Sequence, residues 1–90
     1  MKATKVLEQI SESGAEQKCY RLSESIKVDD GKETNYVIVS AVVAYSGPET
    51  YIFPSNELGE ITDYGELEGS FRGALNHEQA LKGLGVTEIE

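Results

Sequence analysis

The sequence predicts an α+β domain: an antiparallel sheet of three or four strands with an N-terminal helix and a short C-terminal helix. Three observations predict it. Apolar residues recur at helical spacing near the start, at period two from Lys18 onward, and at helical spacing again behind an N-cap at Asn76. Ninety residues leave room for one hydrophobic core, so residues 1–90 are expected to form a single domain.

Ala3, Val6, Leu7 and Ile10 fall three and four residues apart, with Lys5, Glu8, Gln9 and Glu12 on the opposite arc, and Ser13-Gly14 stops the run. This predicts an amphipathic helix over 3–13. From Lys18 the pattern alternates. Tyr20, Leu22, Ile26 and Val28 share one side, and Cys19, Arg21, Ser23, Ser25 and Lys27 share the other, as in a strand with one wet face. Asp29-Asp30-Gly31-Lys32 carries a hairpin signal. Asn35–Tyr45 is rich in β-branched residues of both parities, which predicts a central strand covered on both faces.

Ser46-Gly47-Pro48-Glu49 reads as a turn and Thr50–Phe53 as the third strand, which Pro54 ends because it has no N–H to donate. Ser55–Glu60 reads as a loop, Ile61–Tyr64 as a short fourth strand, and 65–75 as an irregular loop with three glycines. Asn76 and Gln79 form a capping-box pair for a helix His77–Leu84, with Ala80, Leu81 and Leu84 inward and Gly85 as its stop.

The formal charge is −8, and it is concentrated. Residues 1–32 are neutral overall, with six bases and six acids. Residues 33–71 hold no Lys, Arg or His but seven acids: Glu33, Glu49, Glu57, Glu60, Asp63, Glu66 and Glu68. A protein that grips nucleic acid through its phosphates needs clustered Lys and Arg, so direct nucleic-acid binding is not expected. The single cysteine, Cys19, excludes an internal disulfide and fits a reducing compartment. The longest apolar run, Ala41–Tyr45, is far short of a membrane span, and no signal peptide is recognisable. A cytoplasmic location is expected.

Tests for chemistry mostly fail. His77-Glu78 begins like a zinc-protease helix, but Leu81 stands where the second histidine belongs; a polar residue in a capped first turn accounts for it. Cys19 and His77 are the only pair that could form a thiolate dyad, and a lone cysteine is commonly packed as a small hydrophobe. Gly69-Ser70-Phe71-Arg72-Gly73 has the wrong spacing for a nucleophile elbow and lacks the lysine of a phosphate loop. Arg72 could take an anion, but nearby acids make a local ion pair the simpler reading. Neither Gly59 nor Gly65 centres an EF-hand loop. Glu66 and Glu68 are adequately explained as solvated turn acids. No catalytic residue, metal site or cofactor is therefore expected.

The acid block is left. Interleaved with tyrosines, it would form a negative face able to steer onto a basic partner, or it would serve solubility alone. The candidate partner-binding residues are Glu49, Tyr51, Glu57, Glu60, Asp63, Tyr64, Glu66 and Glu68, within an acidic 49–68 region. The stretches Glu49–Ser55, Gly59–Phe71 and His77–Leu81, with Gly85, resemble small accessory proteins encoded by tailed bacteriophages and prophages. That resemblance covers roughly the C-terminal half and transfers no site. It implies a non-virion protein of the bacterial cytoplasm that binds a basic host protein, some such acidic proteins imitating the charge of nucleic acid to block host defence. The expected function is a non-catalytic acidic binding protein. The alternative is a small structural or assembly protein that forms a homo-oligomer, its acidity serving only solubility.

Overall fold

The computed structural model describes residues 1–12, 14–28, 33–44, 47–62, 70–72 and 76–90, the side chains of Ala44, Phe71 and Arg72 excepted. The order of elements is β1 (Lys2–Ile10), β2 (Glu16–Lys27), β3 (Glu33–Ala44), β4 (Gly47–Pro54), β5 (Phe71–Arg72), α1 (His77–Leu84) and β6 (Glu88–Ile89). Among the described residues they form one sheet in the order β5-β4-β3-β2-β1-β6, antiparallel except where β6 runs parallel to β1.

The chain has no N-terminal helix, and the expected antiparallel sheet of three or four strands with two helices is corrected, among the described residues, to a mixed six-stranded sheet with one helix. Lys2–Ile10 is a strand paired with β2. The reason is a bulge. Lys5 pairs with Tyr20 and Leu7 with Cys19, leaving Val6 as an extra residue. A bulge reverses which residues face which side. Ala3 is buried among the side chains beneath α1, Leu7 lies against Gly59 on the other face, and Ile10 is 76 % exposed. Four apolar residues at helical spacing thus share no face.

Strands β2 to β4 follow from alternation and β-branching. β3 pairs with both neighbours, and Val37, Ile38 and Val39 are buried on both its faces. The Ser46–Glu49 turn is corrected: Gly47, Pro48 and Glu49 are already strand, paired with Ala44, Val43 and Val42. Ile61 makes a single bridge to Ser55, and Asp63 and Tyr64 lie outside the described residues, as does the Asp29–Lys32 turn.

One side of the sheet is closed by α1. Asn76 is its N-cap, Oδ1 accepting from the Gln79 backbone N–H at 3.0 Å, and Gly85 ends it at φ 114°, a left-handed conformation favouring glycine. Ala80, Leu81 and Val86 pack on Ala3, Tyr20, Leu22, Val37, Val39 and Ile52. The N-terminal end is tied down where the Asn76 N–H donates to Thr50 Oγ1 (3.1 Å) and His77 Nε2 meets the Glu16 carbonyl (3.0 Å). The other side is covered in part by residues 55–62.

Candidate functional site

The expected wet face of β2 is not wet around Cys19, which is buried. Its cover comes from 36 residues further along the chain, where the Cys19 Sγ and the Ser55 Oγ lie 3.7 Å apart. Burial pushes the Cys19 thiol up from its ordinary value, the Ser55 hydroxyl opposing this weakly. Cys19 alternates with Tyr20, which belongs to the cluster under α1, whereas His77 reaches the Glu16 carbonyl from α1 itself. The two members of the conceivable dyad therefore lie on opposite faces of the sheet, too far apart in direction to share a proton.

A reactivity follows. Cys19 should label with a thiol reagent at neutral pH only on the timescale of unfolding, and stoichiometrically in denaturant; fast labelling of the native protein would refute this burial. The pH sign is also fixed. The unfolded chain ionises its thiol near 9.0 and its Tyr20 phenol near 10.0, before the folded chain, whose values are raised chiefly by burial. Stability should thus be full below about pH 9 and decline above it.

Among the described residues, the acidic candidates differ in exposure. Glu49 is only 7 % exposed and its carboxylate accepts from the Tyr51 hydroxyl. Tyr51 in turn stacks on Phe53, ring centroids 6.0 Å apart. These two residues are thus engaged within β4, two positions apart on one face. The register sets Arg72 across from Glu49; its side chain lies outside the described residues. So do Asp63, Tyr64, Glu66 and Glu68.

Glu57 and Glu60 are exposed, and they share a loop built to hold one shape. The Asn56 Oδ1 accepts from the backbone N–H groups of both Leu58 (2.9 Å) and Glu60 (3.0 Å). The Asn56 N–H donates to the Glu60 carbonyl (3.0 Å), and Thr62 N–H to the Pro54 carbonyl (3.0 Å). Gln9 Nε2 donates to the Gly59 carbonyl at 3.1 Å, tying the loop to β1. Asparagine side chains favour this local bonding, and Gly59 supplies the φ of 78° at the bend. The result presents Leu58, 69 % exposed, between two exposed carboxylates. Sequence reasoning found the acids but not Leu58; Asn56 and Gly59 three residues apart were the available signal.

Among the described residues, no group of three or more His, Cys, Asp or Glu side chains could hold a metal ion, and no helix is long and apolar enough to cross a membrane. No family model, curated protein or solved structure matches the chain.

Proposed function

We propose that this protein is a non-catalytic binding module whose 55–62 loop engages a basic protein partner, of the kind an acidic phage accessory protein would meet in its host. The observation that carries this reading is the fixed loop with an exposed leucine flanked by Glu57 and Glu60. Binding costs less when the contacting segment is already ordered, and a desolvated apolar anchor ringed by charge is the common pattern of a strong contact. The carboxylates would steer a basic surface, and Leu58 would supply the buried contact.

The test is a pull-down from bacterial lysate with the wild type, Leu58→Ala, and Glu57→Gln with Glu60→Gln, across a salt series. The wild type should retain a basic protein and release it as salt rises. Each variant should weaken retention by roughly tenfold, the size expected for a central anchor or two rim charges. Retention that ignores both salt and these substitutions would overturn the reading. Self-assembly is the second reading, favoured by the outer edge of β1, where residues 87–90 hydrogen-bond only as far as Lys5 and leave Val6 and Ile10 exposed. A concentration-independent monomer on light scattering of the same samples would end it.

A further inference from the structure

Among the described residues, the acidic chain carries a cleft of opposite character. Upstream of the bulge, Lys2 and Thr4 alternate with the inward Ala3, so both stand on the face away from α1. Thr4 lies directly opposite Arg21 on β2. The Lys2 backbone N–H donates to the Ser23 Oγ at 2.8 Å, which fixes that hydroxyl beside Lys2. Arg21 and Ser23 flank Leu22, whose side chain belongs to the cluster under α1. Two cations and two hydroxyls therefore form a two-by-two patch on adjacent strands. They line a cleft of about 250 Å³.

The cleft already holds an oxyanion of its own chain. Glu90 Oε1 lies 2.6 Å from Lys2 Nζ, and this pairing raises the lysine above its ordinary pKa. Glu90 is delivered by the edge of the sheet: its N–H donates to the Ala3 carbonyl (2.8 Å), and its carbonyl accepts from the Lys5 N–H (2.9 Å). The Arg21 side chain has no hydrogen-bond or ion-pair partner among the described residues. Its guanidinium offers a planar fork of donors suited to a carboxylate or phosphate. The volume is several times that of one water, so it admits a phosphate-sized group beside the Glu90 carboxylate.

We propose that this cleft is a binding site for a small oxyanion, phosphate or carboxylate, held by Arg21 and Lys2, with Glu90 as a tethered competitor for the lysine. The site is independent of the 55–62 loop. Its affinity is modest, since Arg21 is exposed, Lys2 is partly exposed and the chain as a whole repels anions.

The experiment titrates inorganic phosphate, and separately acetate, into isotope-labelled protein at constant ionic strength, following the backbone amides of Thr4, Arg21 and Ser23. Saturable shifts confined to these strands are expected, and a stronger response to phosphate than to acetate would identify the dianion as the preferred source of the shared chemistry. Arg21→Gln should weaken binding at least tenfold. Glu90→Gln should tighten it several-fold by freeing Lys2. Because Arg21 and Glu90 are both exposed, the two variants keep the fold, which unchanged amide dispersion verifies. Shifts spread evenly over all lysines, no saturation with either anion, or identical titrations in wild type and Arg21→Gln would each overturn the proposal.

Discussion

Replacing Ile52 with alanine lowers the stability by about 3–4 kcal/mol, measured as a shift of the denaturant midpoint without a change in slope. Ile52 is fully buried on β4, directly across from Val39 and within the cluster that α1 covers. Truncation removes three carbons from a packed site, and the sheet backbone on both sides prevents collapse into the space. The Ile52 N–H keeps its bond to the Ser70 Oγ, so the loss is one of packing and not of a polar contact. A domain of this size is stable by roughly 5–10 kcal/mol, so the variant still folds at 25 °C but melts about 15 °C lower. Leu81→Ala should cost about as much, because Leu81 is the largest fully buried side chain of α1, which packs over that face. Both side chains belong to one cluster, so the double variant should lose measurably less than the sum of the two. Strict additivity would mean that Leu81 and Ile52 do not share a packing environment.

The elements that sequence revealed are those whose causes are local. α1 is bounded by Asn76 and Gly85, whose capping chemistry operates within a few residues. β3 announces itself by β-branched residues on both parities, and its central position follows from burial on both faces. Most of the missed features depend on distant parts of the chain. A bulge at Val6 turned a strand into a helical-looking pattern, and a bulge is a property of the pairing with β2, not of β1 alone. Cys19 sits on a parity that reads as solvated because its cover, Ser55 and Asn56, is remote in sequence. Charge behaved similarly. Composition places seven acids between residues 33 and 71, yet Glu49 among them is buried against Tyr51, and only the fold decides that. Leu58 was invisible for the converse reason. A single apolar residue in a polar loop has no pattern, and its exposure is imposed by the hydrogen bonds around Asn56.

Gly59→Ala costs about 2 kcal/mol, from two separable sources. At φ 78° any L side chain is strained, by about 1 kcal/mol. A Cβ at this position would also sit 2.9 Å from Cδ2 and 3.0 Å from Cδ1 of Leu7, so the leucine must shift or the loop must lift. Leu7 is itself half-buried on β1, past the stretch that β6 pairs with, where a shift is costly but feasible. The two sources separate in a double-variant cycle. In a Leu7→Ala background the steric part vanishes and Gly59→Ala should cost only the backbone part, about half as much. An equal cost in both backgrounds would place the whole effect in the backbone. The same substitution bears on function through the loop. If the chain lifts from β1, the Gln9 bond to the Gly59 carbonyl is lost, and with it the geometry that lets the Asn56 Oδ1 hold both the Leu58 and Glu60 N–H groups. Amide exchange at Leu58 and Glu60 should then accelerate well beyond the global loss of stability, while exchange in β3 follows the global change alone. Partner retention should fall in Gly59→Ala although Glu57, Leu58 and Glu60 are all intact, because what the variant removes is the order of the loop rather than any contacting group. Accelerated exchange with undiminished retention would mean that the carboxylates act by charge alone and that the fixed shape of the loop is incidental to binding.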